Sequence, residues 1–309
     1  VARESGNAKA ASNWVMNEVL GQLKETGQSL GACKVRPEAL ADMIRLQAAG
    51  TISGKIAEDV FLKMWATGDA AAAIGHLHAR DENFLQSVEP ELFTRQIRQI
   101  RDSCPIIIEG STGGAPEHTL HQRCVTFTVP EVEMGSLNLG SINMFDGVYQ
   151  NRYEDIVFYT RKLRAGRIFP TMPIFDLSHL TNYQRLVADG ELVPPYVFEF
   201  VFDVPYALPY TDRYLDLFVA HLPPKAIWFC VRHHQQGAAG LRRVMELGGH
   251  IRVGFEDSPF LSDGRRARNN IELVADAVRQ AELVGRRVVR AERAREIIGL
   301  RPIPVGVVA

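Results

Sequence analysis

The stretch Gly75-His76-Leu77-His78-Ala79-Arg80-Asp81 closes a short apolar run that extends from Ala70 to Leu77. An apolar run of this length that ends in polar residues predicts a strand followed by a loop. Side chains in a strand alternate between its faces, so His76 and His78 are expected on one face and Leu77 on the other. Two imidazoles on one face have the spacing that two ligands of one metal ion need. Two exposed histidines would give the same spacing, so the metal site is a hypothesis at this point.

A second ionisable cluster, Arg252-Val253-Gly254-Phe255-Glu256-Asp257, ends another short apolar segment near the far end of the chain. One of its carboxylates could complete the coordination begun by the two histidines. Two histidines and one glutamate leave an open position on zinc, which is the catalytic rather than the structural pattern. A solvated acidic pair in a loop would produce the same residues.

From Ala70 onward, strand-like apolar runs alternate with amphipathic helical patterns, which predicts an α/β fold with a parallel sheet and crossover helices. The runs are Ala73 to His78, Ile106 to Ser111, Met134 to Leu139, Ile168 to Phe175, Val197 to Phe202, Ala226 to Val231 and His250 to Phe255. Regular repetition over about 240 residues with reactive residues at strand ends favours a (β/α)8 TIM barrel over an open doubly wound sheet. A closed barrel needs eight strands, and the sequence supplies seven.

The first 69 residues show only helical periodicity, for example Trp14, Val19 and Leu23 on one stripe. We therefore predict an all-helical segment at 1–69 and an α/β domain at 70–309. Eight basic and eight acidic residues cancel within the first segment, so it has no basic surface of the kind expected from a strong nucleic-acid binder.

Composition narrows the class of protein. A net charge of -1 over 309 residues provides no global field for nucleic acid or an anionic membrane. The four cysteines form no CxxC pair, which favours free thiols in a reducing compartment. No apolar stretch approaches the roughly 20 residues of a membrane span, and no signal-peptide pattern opens the chain. We expect a cytoplasmic protein.

In a barrel, the carboxyl ends of the strands share one mouth. That mouth would collect His76, His78, Ser111, Thr112, Gly113, Gly114, Ser136, Asn138, Asp176, His179, Arg232, Arg252, Glu256 and Asp257. Structural explanations stay open for several of them. Ser111 and Thr112 could cap a helix, Arg252 could be an ion-pair partner, and Asn138 could be a turn residue. His233 and His234 are expected in a solvated loop, because adjacent residues of a strand face opposite ways.

Five ordered motifs resemble the beta-keto acid cleavage enzyme family, which includes 3-keto-5-aminohexanoate cleavage enzyme. They are His76-Leu77-His78-Ala79-Arg80-Asp81, Ser111-Thr112-Gly113-Gly114, Gly135-Ser136-Leu137-Asn138-Leu139-Gly140-Ser141, Phe175-Asp176-Leu177-Ser178-His179-Leu180 and Gly248-Gly249-His250-Ile251-Arg252-Val253-Gly254-Phe255-Glu256-Asp257. The resemblance runs from about Ala73 to the C-terminus. It implies a zinc-dependent barrel enzyme that exchanges acyl groups between a beta-keto acid and acetyl-CoA, releasing acetoacetate and a new acyl-CoA.

The resemblance also implies residue roles. His76, His78 and Glu256 would be the zinc ligands, and zinc would act as a Lewis acid on the keto acid. Asp257, with Arg252 beside it, would be the general base toward the acetyl-CoA methyl group. The keto acid would be bound by Ser111, Thr112, Gly113, Ser136 and Asn138.

One departure from the family concerns the substrate. Family members commonly carry an acidic residue on the strand that leads into the Phe-Asp segment, where it can meet an amino group. This chain has the uncharged residues Thr171 and Pro173 there. We therefore predict that a cationic keto acid is not preferred and that a neutral or anionic one is.

A second departure concerns the beginning of the chain. The family's opening strand and TGA-type turn have no counterpart before Ala70. Residues 1 to about 69 instead resemble the front of the helical tail domain of the aspartyl/glutamyl-tRNA amidotransferase B subunit. The matching pieces are Ala10-Ala11-Ser12-Asn13-Trp14-Val15-Met16, Pro37-Glu38-Ala39-Leu40-Ala41-Asp42-Met43-Ile44 and Thr51-Ile52-Ser53-Gly54-Lys55-Ile56-Ala57-Glu58-Asp59-Val60-Phe61. That tail contacts tRNA in its own family, but the zero net charge disfavours tRNA binding here.

The chain thus reads as a fusion of two family segments, joined near Thr67 to Ala73. Without a first strand, the strands that end at His78 and lead to Asp257 would each lose a neighbour. Exposed parallel edges invite association, so we expect a homo-oligomer and an activity below that of an intact member. Two rival functions remain: a binding module related to the tRNA amidotransferase, and a metal-dependent hydrolase that acts without CoA.

Overall fold

The structure, a computed structural model, describes residues 1–26, 29–30, 33, 35, 37–48, 61, 73–78, 87–113, 118–144, 147–234 and 239–300. Contacts divide the chain into two compact units, Val1–Ala71 and Ala72–Ala309. The expected join at 67–72, most of the helical stripe around residues 56–64, and Gly114 lie outside the described residues. None of the described helices is long and apolar enough to cross a membrane.

The first unit is helical, as the periodicity predicts. Its elements are α1 (Ala2–Ser5), α2 (Ala8–Asn13), a π-helix (Trp14–Val19), α3 (Leu20–Thr26) and α4 (Pro37–Ala48). Trp14, Val19 and Leu23 are buried together, and Leu40, Met43, Ile44 and Phe61 complete their cluster. Leu20, which lies on the same predicted stripe, is instead 41% exposed. The wider π-helical turn changes the angular spacing of the residues around the helix, so the 3.6-residue period does not carry through it.

The second unit is built on a parallel sheet of seven strands in the order β1-β2-β3-β6-β7-β8-β9. The strands are β1 (Ile74–Leu77), β2 (Ile107–Gly110), β3 (Met134–Ser136), β6 (Phe169–Ile174), β7 (Val197–Phe202), β8 (Ile227–Arg232) and β9 (His250–Ile251). Each overlaps one of the seven predicted runs, so the α/β prediction and its strands are confirmed. A β1–β9 pair, which would close a barrel, is not among the strand pairs of the described residues.

Helices alternate with these strands. They are α5 (Pro90–Ser103), a 3-10 helix (Gln122–Thr128), α6 (Tyr153–Gly166), α7 (His179–Ala188), α8 (Asp212–Ala220), α9 (Ala239–Glu246), α10 (Asn270–Leu283) and α11 (Ala291–Ile298). An antiparallel hairpin of β4 (Ile142–Met144) and β5 (Gly147–Tyr149) follows β3. The sequence analysis did not predict this hairpin.

Strand β7 shows how the sheet separates its two faces. All six of its residues are buried, as expected of a central strand in a parallel sheet. Phe198, Phe200 and Phe202 belong to the main apolar cluster with the helices, whereas Val197 and Val201 belong to other clusters. Because side chains alternate along a strand, Glu199 lies on the face opposite the phenylalanines. That face carries the polar site described next.

Candidate metal and active site

The sheet brings together residues from its two outermost strands. In a flat sheet, β1 and β9 would lie about six strand spacings apart, roughly 29 Å. The structure instead places His78 Nε2 at the end of β1 3.1 Å from Glu256 Oε1, which follows β9. The sheet therefore curls until the polar residues at its two edges meet.

The predicted ligand trio His76, His78 and Glu256 converges at this point. The Nε2 atoms of the two histidines are 3.3 Å apart, and one ligand atom from each of the three residues lies within 4.8 Å of the others. A tetrahedral zinc ion with bonds of 2.0–2.1 Å holds neighbouring ligand atoms about 3.3 Å apart. The donor set and its spacing fit such an ion, and three protein ligands leave one position for a substrate.

Glu109 supports the trio from the neighbouring strand. It is paired directly opposite His76 in the β1–β2 register, and its Oε1 lies 3.6 Å from His76 Nδ1. Neither buried atom has a hydrogen bond among the described residues. Burial and Arg252 lower the pKa of His76, but Glu109 outweighs them and raises it. A carboxylate behind a metal-binding imidazole fixes the ring's orientation and tautomer and makes its other nitrogen a better ligand.

We therefore expect Glu109→Leu to weaken zinc binding by about 10–100-fold, the usual effect of losing such an outer-shell partner. Glu109→Gln should lose less, because its amide oxygen can still accept from Nδ1. Competition with a chromophoric zinc chelator measures both affinities. Equal affinities in Glu109→Leu and the wild type would contradict this role.

Arg252 joins three carboxylates in one network. Its Nε and Nη2 donate to Asp257 Oδ2 and Oδ1 at 3.1 and 2.9 Å. Nη2 also lies 3.2 Å from Glu256 Oε2, and Nη1 lies 3.4 and 3.3 Å from the two oxygens of Glu199. A single guanidinium thus contacts a predicted metal ligand and the predicted general base.

The two adjacent carboxylates of this network differ in acidity. Burial would raise the pKa of Glu256, but the hydrogen bond and charge of His78 and the charge of Arg252 lower it well below its usual range. Burial raises the pKa of Asp257, and Arg252 offsets only part of that rise. Glu256 therefore suits a metal ligand that stays ionised, whereas Asp257 is the better proton acceptor of the two.

A hydrogen-bonded cluster of predicted substrate-binding residues lies at the ends of β2 and β3. Thr112 donates through its backbone N–H to Ser136 Oγ at 2.8 Å, and Asn138 Nδ2 donates to Thr112 Oγ1 at 3.0 Å. All three residues are buried. The hydroxyls and the amide are thus held in fixed positions, as binding a carboxylate or carbonyl requires.

Arg123 and Tyr149 hold this cluster from behind. Arg123 Nε donates to the Thr112 carbonyl at 2.9 Å, and its Nη2 donates to the Tyr149 hydroxyl at 2.7 Å. Asn138 Nδ2 also donates to that hydroxyl at 3.0 Å. Neither Arg123, in the 3-10 helix, nor Tyr149, in the unpredicted hairpin, was expected to contribute.

Gly113 connects the cluster to the metal trio. Its N–H donates to Ser111 Oγ at 2.9 Å. A Cβ atom at Gly113 would lie 3.0 Å from both His78 Cε1 and Ser111 Oγ. The lack of a side chain thus lets the loop after β2 approach His78 closely, so the predicted residues Ser111 and Gly113 lie beside a predicted ligand.

Three residues expected in the mouth have structural contacts instead. Asp176 Oδ1 accepts the N–H of Ser178 just before α7. The His179 ring is buried, and a Cβ at Gly140 would lie 2.4 Å from its Cδ2. Arg232 pairs with Asp203 at 2.8 Å. None of these contacts places the side chain against the trio.

Two further residues escaped the sequence reasoning. His233, expected in a solvated loop, is half-buried with Nε2 3.9 Å from Asp257 Oδ1. Glu199, like Glu109, is a single charged residue inside an apolar strand, and both are about 95% buried. A charge at such a position is costly unless it is paired, and this cost was the available signal for both carboxylates.

A parallel α/β sheet whose strand ends carry this trio beside an Arg-Asp pair is the architecture of an α/β enzyme with a candidate metal centre. The chain belongs to the beta-keto acid cleavage enzyme family, whose family model matches residues 57–300.

Relatives of known description support this membership. The 3-keto-5-aminohexanoate cleavage enzyme of Acetoanaerobium sticklandii is 30% identical over 79% of this chain and 89% of its own length. The 3-oxoadipate:acetyl-CoA acetyltransferase of Cupriavidus necator is 31% identical over 76% of this chain and 84% of its own length. A solved structure titled a binary complex of ObcA with oxaloacetate superposes with a TM-score of 0.62 at 17% identity, covering 79% of this chain and 67% of that chain. At that identity the superposition shows the fold alone.

The first part of the chain has a different relationship. A model of the GatB domain matches residues 1–100. The corresponding protein of Chlorobium phaeobacteroides, an aspartyl/glutamyl-tRNA(Asn/Gln) amidotransferase component, is 53% identical over 24% of this chain, but the match spans only 16% of that protein. The predicted resemblances at both ends of the chain are therefore confirmed.

Proposed function

We propose that this enzyme catalyses zinc-dependent acyl exchange between a beta-keto acid and acetyl-CoA, yielding acetoacetate and a new acyl-CoA. The observation that carries the proposal is the convergence of His76, His78 and Glu256, with Asp257 held beside them by Arg252. The acetyltransferase relative, whose name includes acetyl-CoA, supports acetyl-CoA as the co-substrate.

The residues divide the work. His76, His78 and Glu256 would hold the ion, which when bound supplies Lewis acidity toward the keto acid. Asp257 accepts a proton from the acetyl-CoA methyl group, and Arg252 keeps its carboxylate oriented for that transfer. Thr112, Ser136 and Asn138, with Ser111 and the Gly113 N–H, bind the carboxylate or carbonyl of the keto acid. The resulting carbanion attacks the keto carbon, the CoA thioester shifts within the adduct, and retro-Claisen cleavage follows.

We further propose that 70–309 is a TIM-barrel-type catalytic domain lacking its family's first strand, and that 1–69 is a helical amidotransferase-tail-like segment. The curled parallel sheet and the two family matches support this division. A cytoplasmic homo-oligomer is consistent with four free cysteines and with two outer strands in the described sheet.

The direct test measures zinc per chain together with acetoacetate release. We expect about one zinc per chain, as three protein ligands around one ion imply, and acetoacetate only when a beta-keto acid and acetyl-CoA are both present. Turnover without acetyl-CoA would favour the metal hydrolase. Salt-sensitive tRNA retention by a zinc-free, inactive protein would favour the binding module.

The substrate's charge gives a separate prediction. Thr171, buried at the sheet's interior face, replaces the acidic residue that would meet an amino group. In a panel of matched keto acids, we expect neutral or anionic side chains to give a higher kcat/KM than a 5-amino compound, by at least about 10-fold if one charge-assisted contact is missing. A clear preference for the amino compound would contradict the prediction.

A further inference from the structure

We infer that Glu199 is a positioning residue for the proposed reaction, because it fixes the Arg252 guanidinium that orients Asp257 and contacts Glu256. The inference rests on the proposed function for its chemical meaning, and on geometry alone for the claim about Arg252.

The guanidinium is shared between different carboxylates on different edges. The Nε and Nη2 edge faces Asp257 in a bidentate arrangement, while Nη1 faces both oxygens of Glu199 at 3.3 and 3.4 Å. A planar guanidinium held on two edges has lost its freedom to rotate in its own plane, and pre-organised forks of this kind add geometric specificity to their energy. Glu199 therefore determines how the other edge meets Asp257.

The location of Glu199 gives this contact its importance. Arg252, Glu256 and Asp257 lie just after β9, a strand of only two residues. Glu199 lies in the middle of β7, which is hydrogen-bonded to β6 on one side and β8 on the other. Sites built on regular elements are held more accurately than sites on loops. Glu199 is thus the point at which the rigid sheet holds a pair of residues carried by a loop.

The position of Glu199 in the strand also argues for a functional constraint. It lies between Phe198 and Phe200 and is 4% exposed. Burying a carboxylate is expensive, and a buried ion pair often adds little to stability compared with apolar residues of similar volume. An apolar residue would suit the fold of β7 equally well, so the charge is better explained by the partner it holds.

Glu109 provides the matched control. It is also a buried carboxylate on the sheet's interior face, with a similar exposure, but its near neighbour is His76 rather than Arg252. Replacing either glutamate by glutamine removes one negative charge from the same region. Only the Glu199 change should release the guanidinium.

The experiment follows the Arg252 Nε–H directly in the full-length zinc-loaded protein. Arginine is labelled with 15N, and the resonance is assigned by its loss in Arg252→Lys. The hydrogen-exchange rate of this resonance is then measured in the wild type, Glu199→Leu, Glu199→Gln and Glu109→Gln. Zinc content, kcat and KM are measured on the same samples.

We expect Glu199→Leu to accelerate Nε–H exchange at least 10-fold and to lower kcat about 10–100-fold, the scale of a 1 Å misplacement of a reacting group. KM should change little, since Glu199 does not touch the substrate. Glu199→Gln keeps an accepting oxygen for Nη1 and should recover part of both effects. Glu109→Gln should leave the Arg252 resonance unchanged.

Each outcome decides a different claim. Wild-type Nε–H exchange in Glu199→Leu, or equal acceleration in Glu109→Gln, would overturn the positioning role even if the enzyme is fully active. The expected exchange pattern in a protein without acyl-exchange activity would support the positioning role and refute the proposed function. If Glu199→Leu does not fold, Glu199→Gln carries the test, and wild-type exchange in that variant with unchanged kcat would overturn the inference.

Discussion

Asp257→Asn is expected to lower kcat/KM for acyl exchange by about 10²–10⁴-fold, the usual contribution of a positioned general base. The substitution keeps the size and planar shape of the side chain, but an amide cannot accept the methyl proton of acetyl-CoA. Zinc content should remain that of the wild type, because Asp257 is not one of the three converging ligands.

The structure supports a large effect for this one substitution. Asp257 is 4% exposed, and both of its oxygens face Arg252 in a bidentate pair. Burial raises the pKa of its carboxyl group, and Arg252 counteracts only part of that rise. A base with a pKa above that of an exposed aspartate removes a weakly acidic proton more effectively.

Exchange of the acetyl-CoA methyl protons for deuterium measures the proposed proton transfer without requiring complete turnover. Asp263→Asn is the matched control, since Asp263 is half-exposed and pairs with Arg265 at 2.8 Å outside the site. Deuterium incorporation at the wild-type rate in Asp257→Asn would remove Asp257 from the role of base. Loss of zinc in that variant would indicate that it acts on the metal centre instead.

The sequence was informative wherever a local period determined the result. Alternation along β1 places His76 and His78 on one face, and their Nε2 atoms are 3.3 Å apart. The apolar runs predicted the seven strands of the sheet, because parallel strands buried on both faces have few ways to vary. The expected contact with Glu256 came from the family resemblance, since no local pattern connects residues 178 positions apart.

Residues whose role depends on a distant partner could not be assigned in this way. Glu109 and Glu199 each look like an isolated charge in an apolar strand, and their partners became evident only once the sheet curls. Arg123 belongs to a 3-10 helix, and its contact with Tyr149 depends on a hairpin with no strong turn signal. The π-helix at Trp14–Val19 similarly broke a stripe that an ideal helical period would continue.

His78→Ala is expected to weaken zinc binding by more than the about 10–100-fold that loss of an outer-shell partner costs, because it removes a direct ligand. His78 is the middle member of the trio: its Nε2 lies 3.3 Å from His76 Nε2 and 3.1 Å from Glu256 Oε1. Without it, two donors remain for an ion that takes three protein ligands in catalytic sites. Acyl exchange should fall with zinc occupancy.

Elemental analysis after dialysis against a chelator measures this loss, and Co²⁺ substitution reports the coordination geometry through its visible spectrum. His221→Ala is the control, because His221 is an exposed histidine at the end of α8 whose Nδ1 lies 2.8 Å from the Leu217 carbonyl oxygen. We expect the wild type and His221→Ala to retain metal and His78→Ala to lose it. Equal metal retention in all three proteins would place the ion elsewhere and would end the assignment of His76, His78 and Glu256 as its ligands.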